Sequence, residues 1–170
     1  MGPYDCVIST GNSVPHVDNH GFKELCESVS NCLRNNGYFY FDIRNWDGIT
    51  RNKQRFFPFK LETVGQRHRV YLQVWDHNSD GSMNFNLVFI DYDEEGNPIR
   101  KETHNVSPYY PLLRKKIEEV LSKTGFTVLK YFDYGVFKDH ENGEFVDDIE
   151  IDSEDAFMET DWYAVLAQKK

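Results

Sequence analysis

The chain has 170 residues, 28 of them acidic and 19 basic, and a formal charge of -9. Its basic residues are scattered rather than clustered, which argues against binding to the phosphate backbone of DNA or RNA. A chain of this length can bury about 70% of its unfolded surface, and we expect residues 1–170 to form a single domain.

Cysteine usage and hydropathy indicate a cytoplasmic protein without a membrane partner. Cys6, Cys26 and Cys32 form no Cys-x-x-Cys pair, and their odd number fits a reducing compartment better than a disulfide scaffold. No stretch approaches the ~18 apolar residues of a membrane span, and the N-terminus lacks the pattern of a signal peptide.

The first predicted element is a strand that runs into a polar turn. Residues 4–16 predict a short buried strand followed by Gly11-Asn12-Ser13. Turns of this kind, at the carboxyl ends of strands, begin the ligand pockets of open α/β sheets. Gly11 lets a ligand approach the backbone, and the two polar side chains offer short hydrogen-bond donors and acceptors. A plain polar strand-to-helix turn explains the same residues.

A strand, a helix and a second strand over ~40 residues predict a βαβ unit with a right-handed crossover. Asp18 or Asn19 can cap the helix, which is expected to end near Asn36-Gly37. The run Tyr38–Ile43 is apolar at nearly every position, which is typical of a strand covered on both faces. The expected apolar face of the helix consists of Phe22, Leu25, Cys26, Val29, Cys32 and Leu33.

The second half of the chain predicts an insertion followed by one more helix and two more strands. Alternating segments from residue 56 to 103, with strands over 69–76 and 83–92, predict antiparallel hairpins. Strands are expected over 126–132 and 162–167, and the acidic link over 139–159 predicts a solvated loop, with a lid or a partner contact as the alternative. The helix over 111–123 is expected to stop at Gly125 and to bury Leu112, Leu113, Ile117, Val120 and Leu121.

This order of elements, with two of its motifs, resembles the class I S-adenosylmethionine-dependent methyltransferases. The motifs are Thr10-Gly11-Asn12-Ser13 with His16, and Arg44-Asn45-Trp46-Asp47, where the family has tyrosine in place of Trp46. The similarity is greatest to the subgroup of glycine/sarcosine N-methyltransferases. It implies an α/β fold that holds the later strands of a Rossmann-like methyltransferase sheet, with an antiparallel β insertion over 56–103. On this interpretation the chain is the C-terminal half of a methyltransferase.

The resemblance also implies roles for particular residues. In the family, the loop that matches Thr10, Gly11, Asn12 and Ser13 contacts the methionine part of S-adenosylmethionine, the expected cofactor, and also the substrate. Arg44 stands where glycine-type enzymes hold the carboxylate of the acceptor, a task that suits a planar guanidinium. Pairing of Arg44 with Asp42 or Asp47 is the alternative. The remaining candidates are His16 as a catalytic proton acceptor, or else a structural residue, and Tyr71, Tyr109 and Tyr110 as substrate-binding residues.

The expected reaction is methyl transfer from S-adenosylmethionine to a small polar acceptor, for which the amine of glycine or sarcosine is the first guess. An amine displaces the sulfide in line, so the protein mainly positions the reactants and excludes water, and no metal is required. A nucleophile elbow of an α/β-hydrolase does not fit, because that motif requires glycine at the position of Pro15.

The sequence has no Gly-x-Gly and nothing before the first strand that matches the donor cradle of the family. We therefore expect this chain alone to be inactive and to bind the donor weakly. The alternative function is an inert fragment or an association module. The edge Asp5–Ser9 is expected to pair with a missing N-terminal half or with another copy of the chain. The interpretation also requires the first strand beside the Tyr38 strand, and Arg44 on the same rim as Asn12.

Overall fold

The computed structural model describes residues 3–65, 67–133 and 149–170. The chain divides into two compact units, the first made of Met1–Asn52 and Leu112–Lys170 and the second of Lys53–Pro111. The insertion predicted over 56–103 lies within the second unit. A single domain over residues 1–170 stays a prediction. Among the described residues, no helix has the length and apolar character that a membrane crossing requires.

The described elements are nine strands, four helices and one 3-10 turn. In chain order they are β1 (Tyr4–Ser9), a 3-10 turn (Val14–His16), α1 (Asn19–Cys32), β2 (Leu33–Arg44), α2 (Trp46–Asn52), β3 (Phe56–Val64), β4 (Arg67–His77), β5 (Met83–Tyr92), β6 (Pro98–Tyr109), α3 (Arg114–Lys123), β7 (Phe126–Asp133), β8 (Ile149–Glu150), α4 (Glu154–Glu159) and β9 (Trp162–Lys169).

The first unit is built on a five-stranded sheet in the order β1-β2-β9-β7-β8. Strands β1 and β2 are parallel, with Cys6 opposite Tyr38 and Ser9 opposite Phe41, and α1 connects them. This confirms the predicted βαβ unit and the position of the first strand. Strand β9 runs antiparallel to both β2 and β7.

Helix α1 begins where the sequence predicts and ends earlier. The Asp18 side chain caps it, with Oδ1 accepting a 2.8 Å hydrogen bond from the backbone N–H of Gly21. The prediction of an end near residues 36–37 is wrong, because Leu33 already has extended backbone and is paired with β1. The apolar face is confirmed at Phe22, Cys26 and Val29, while Cys32 is exposed and Leu33 is buried as the first residue of β2.

Strand β1 is more exposed than a buried strand should be. Tyr4 and Ile8 are 43% and 65% exposed, and Cys6 is also exposed. The reason is that β1 hydrogen-bonds to a single described neighbour, β2, and so forms the edge of the sheet. The prediction of a buried strand is wrong in this respect, and the pairing of the edge Asp5–Ser9 with another segment stays a prediction.

Two corrections concern the later elements of the first unit. Helix α3 starts at Arg114 instead of residue 111, and Leu113 stands before it as the N-cap and is exposed. Within the acidic link, residues 139–148 lie outside the described residues, but Glu154–Glu159 form α4 instead of the predicted loop. Ser153 caps α4, and Phe157 anchors it in the core.

The second unit is a four-stranded antiparallel sheet in the order β3-β4-β5-β6, which confirms the predicted hairpins. One face carries a cluster of Trp75, Phe85 and Tyr109, whose rings lie 5.0 to 6.2 Å apart. The same face carries an ion pair between Arg69 and Asp91, held by two hydrogen bonds of 2.5 and 2.8 Å. Asp91 is almost fully buried, and the bound guanidinium lowers the pKa of its carboxyl.

Candidate functional site

The loop after β1 is a tight turn with unusual backbone geometry. Gly11 and Asn12 both have positive φ, 78° and 55°, which asparagine tolerates better than most residues because its short polar side chain bonds locally. The Ser13 hydroxyl donates a 2.6 Å hydrogen bond to the carbonyl of Thr10 and closes the turn. The turn therefore directs two consecutive backbone N–H groups toward the neighbouring strand.

Those N–H groups meet the carboxylate of Asp42, near the end of β2. Oδ2 accepts a 2.9 Å bond from Gly11 N–H, and Oδ1 accepts a 2.8 Å bond from Asn12 N–H. The indole Nε1–H of Trp162, the first residue of β9, also donates to Oδ1 at 3.0 Å. Asp42 is fully buried, and three donors compensate its desolvated charge. Sequence reasoning missed it as a site residue, although a lone acidic residue in an apolar strand was a usable signal.

Asn12 is the buried polar residue of the turn, at 2% exposure. Its Oδ1 accepts a 3.0 Å hydrogen bond from the backbone N–H of Arg44. Its Nδ2 has no hydrogen-bond partner among the described residues. A buried amide N–H without a partner is costly, so this atom is suited to an oxygen of a bound molecule.

Arg44 lies at the carboxyl end of β2, on the same rim as Asn12, as the sequence analysis requires. Its guanidinium carbon lies 4.7 Å from the centre of the Trp162 ring, within the range of a cation–π interaction. Of the two acidic residues expected as alternative partners, Asp42 accepts the bonds described above, and Asp47 accepts a 2.8 Å bond from Arg114 N–H.

Asn45, the next residue of the motif, is a structural clamp. Its Nδ2 donates to the carbonyls of Phe157 and Thr160 at 2.7 and 2.9 Å, and its Oδ1 accepts from Gly48 N–H at 3.1 Å. These bonds connect the end of β2 to α2 and to the end of α4. The Arg-Asn pair therefore combines a candidate binding side chain with a residue that fixes the surrounding backbone.

The other predicted site residues are His16, which follows the turn, and three tyrosines of the second unit. His16 is exposed at the end of the 3-10 turn. Tyr71, Tyr109 and Tyr110 belong to the second unit. There the Tyr71 hydroxyl donates a 2.7 Å bond to Glu62, and Tyr109 is buried in the aromatic cluster. Binding or catalytic roles for these residues, and for Thr10 to Ser13, stay predictions.

Comparison of the sequence with protein-family models gave no match, and comparison with curated proteins gave none either.

Solved methyltransferase structures share the fold. A S-adenosylmethionine-dependent methyltransferase from Clostridium acetobutylicum ATCC 824 is 16% identical, with a TM-score of 0.65, and the match covers 98% of this chain and 58% of that one. The CcbJ methyltransferase from Streptomyces caelestis is 12% identical with a TM-score of 0.67, covering 98% and 61%. CalS10, an amino pentose methyltransferase from Micromonospora echinaspora, is 9% identical with a TM-score of 0.63, covering 98% and 58%.

These likenesses establish the fold as α/β, with a Rossmann-like methyltransferase sheet and an antiparallel β insertion. The chain spans between 58% and 61% of the length of these three structures. The sheet is partial in that sense, since about two fifths of each neighbour has no counterpart in the matched residues.

Proposed function

We propose that this chain is part of an S-adenosylmethionine-dependent methyltransferase that methylates the amine of a small polar acceptor. The observation that carries the proposal is the buried Nδ2 of Asn12, a donor without a partner among the described residues. It lies at the carboxyl end of a parallel strand, which is where open α/β sheets bind ligands. The shared methyltransferase fold supports the same assignment.

The residues of this rim suit an acceptor that carries both an amine and a carboxylate. The Arg44 guanidinium binds a carboxylate through two parallel hydrogen bonds, and the Asn12 Nδ2 donates to an oxygen of the acceptor or of the donor's methionine part. S-adenosylmethionine supplies an electrophilic methyl group, which the amine nitrogen takes as the sulfide leaves. The protein then accelerates the reaction by alignment and exclusion of water. His16, exposed at the turn, is the proposed acceptor of the amine proton.

Two structures with this fold, KedS8 and MtfA, are described as enzymes that methylate nitrogen. CalS10 is described as an amino pentose methyltransferase, KedS8 as a sugar N-methyltransferase and MtfA as a glycopeptide N-methyltransferase in complex with S-adenosylhomocysteine. We keep glycine and sarcosine as the first acceptors to test, because of the Arg44 position, with an amino sugar as the comparison. Tyr71, Tyr109 and Tyr110 are the proposed side chains of the acceptor cavity.

We also propose that the chain supplies the C-terminal half of the catalytic domain. The matched structures are longer, and among the described strands β1 pairs with β2 alone and carries the exposed side chains Tyr4 and Ile8. Such an edge is a ready template for another strand. The added strand comes from a further part of the protein or from a second copy of this chain. The three cysteines are free, which supports the cytoplasm as the compartment.

The exposed edge also favours a second candidate, an association module without activity of its own. Two measurements separate it from the enzyme. Calorimetry of this chain with S-adenosylmethionine is expected to show very weak binding or none. Tight binding would contradict the expectation that these residues alone do not form the donor site. Radiolabelled methyl transfer to glycine, sarcosine and an amino sugar is then measured for the chain extended by its upstream reading frame. Transfer by the extended chain supports the enzyme, and its absence with all three acceptors supports the module.

A further inference from the structure

We infer that Asp42 is a positioning residue, whose carboxylate sets both the Asn12 amide and the Arg44 guanidinium for the acceptor. The inference rests on the proposed function, in which those two groups bind the acceptor. Asp42 does not itself reach the ligand in this scheme, because its two oxygens are occupied by Gly11, Asn12 and Trp162.

The first connection runs from Asp42 to Asn12. The carboxylate binds the backbone N–H groups of Gly11 and Asn12 and so holds the turn in its positive-φ geometry. In that geometry the Asn12 Oδ1 reaches the Arg44 backbone N–H. Because this bond fixes which end of the amide is the oxygen, Nδ2 is fixed as the remaining donor. Loss of the carboxylate frees the turn and, with it, the direction of that donor.

The second connection runs from Asp42 through Trp162 to Arg44. The indole N–H donates to Asp42 Oδ1 at 3.0 Å, and the face of the same indole lies under the guanidinium at 4.7 Å. A hydrogen bond to an anion polarises the indole toward more negative charge on its ring face, which strengthens its attraction for the cation. The buried carboxylate of Asp42 thus orients two hydrogen-bond donors on the same rim, the neutral amide of Asn12 and the charged guanidinium of Arg44.

The test compares Asp42→Asn with Asp47→Asn, a matched control. Asp47 follows the same strand and also accepts a backbone N–H, from Arg114 at 2.8 Å, so its hydrogen bond joins a different part of the chain. Glycine is titrated into each variant and followed by NMR. We expect Asp42→Asn to weaken glycine binding at least tenfold and Asp47→Asn to change it less than twofold. Equal weakening in both variants overturns the inference.

A double-mutant cycle distinguishes positioning from general loss of structure. If Asp42 acts largely through Asn12, the effect of Asp42→Asn on glycine affinity is expected to fall below threefold in an Asn12→Ala background. The same loss in both backgrounds overturns the inference. Should Asp42→Asn fail to fold, Trp162→Phe takes its place, because it keeps an aromatic ring for Arg44 and removes the indole N–H together with the second ring of the indole. An affinity at least threefold weaker then supports the inference, and an unchanged affinity overturns it.

Backbone hydrogen exchange separates failure of this inference from failure of the proposed function. If the unmodified chain does not bind glycine at all, the acceptor assignment fails, and exchange still reports on positioning. The amides of Gly11 and Asn12 are expected to exchange at least tenfold faster in Asp42→Asn, with no such change in Asp47→Asn. Unchanged protection in Asp42→Asn overturns the role assigned to the carboxylate.

Discussion

Replacing Asn45 with alanine should destabilise the first unit severely, because one buried amide makes three hydrogen bonds there. The buried carbonyl of Thr160 loses its donor and the half-buried Gly48 N–H loses its acceptor, while the Phe157 carbonyl keeps only a 3.4 Å bond from Thr160 N–H. Each buried polar group left unpaired costs about 1 to 1.5 kcal/mol by the lower end of measured values. For the two groups left without a partner, the sum is a loss of about 2 to 3 kcal/mol in the free energy of unfolding.

The assay is equilibrium urea unfolding followed by far-ultraviolet circular dichroism, with the denaturant slope compared between variants. Asn35→Ala is the control, because Asn35 lies on the same strand but is exposed, and it should cost less than about 0.5 kcal/mol. If Asn45→Ala lowers the free energy of unfolding by less than about 1 kcal/mol at an unchanged slope, the stabilising role assigned to the Asn45 hydrogen bonds is refuted. Such a result would mean that water or a local shift replaces the lost bonds.

Three further predictions concern buried polar groups. Tyr163→Phe should leave stability in urea unfolding unchanged or raise it by up to about 1 kcal/mol, because the buried hydroxyl of Tyr163 has no partner among the described residues. Tyr131→Phe loses a bond to Glu118 and should cost about 1 kcal/mol. A larger loss for Tyr163→Phe than for Tyr131→Phe contradicts the argument. The pKa of Asp91 is lowered, so its pairing with Arg69 stabilises the fold above about pH 4, and this stabilisation is lost as the pH falls through the folded-state pKa. Below that pH, the stability of Asp91→Asn should therefore fall less steeply than that of the unmodified chain. Burial raises the pKa of the Cys26 thiol to about 12, so iodoacetamide at pH 8 should label the two exposed cysteines quickly and this one only after unfolding; rapid labelling of all three counts against its burial.

The sequence predicted those elements whose pattern repeats over several residues. The apolar spacing from Phe22 to Val29 marked α1, and the uninterrupted run around Phe39 and Phe41 marked a central strand. Both signals come from many side chains that meet the same core. Helix α4 was missed because six residues give fewer than two turns, and only Phe157 among them is buried. The end of α1 was missed because pairing with β1, a tertiary contact, decides it.

The candidate site shows the same limit. The turn and Arg44 were found because the resemblance identified both motifs, and their closeness follows from two adjacent parallel strands that end on one rim. Asp42 was assigned no role in binding, because its importance arises from three donors on two distant parts of the chain, the turn after β1 and the start of β9. Trp162 lies more than a hundred residues from Asp42, so no local pattern connects them.

The order of strands in the first unit has a consequence for synthesis. Strand β9 lies between β2 and β7, so the middle of the sheet is filled by residues 162–169, while its flanks are made much earlier. On the ribosome, the backbone N–H and C=O groups along one edge of β2 and one edge of β7 lack their strand partner until β9 leaves the exit tunnel. Stalled or prematurely terminated chains should therefore be recognised by chaperones and proteases as incomplete, even when most of the residues have been made.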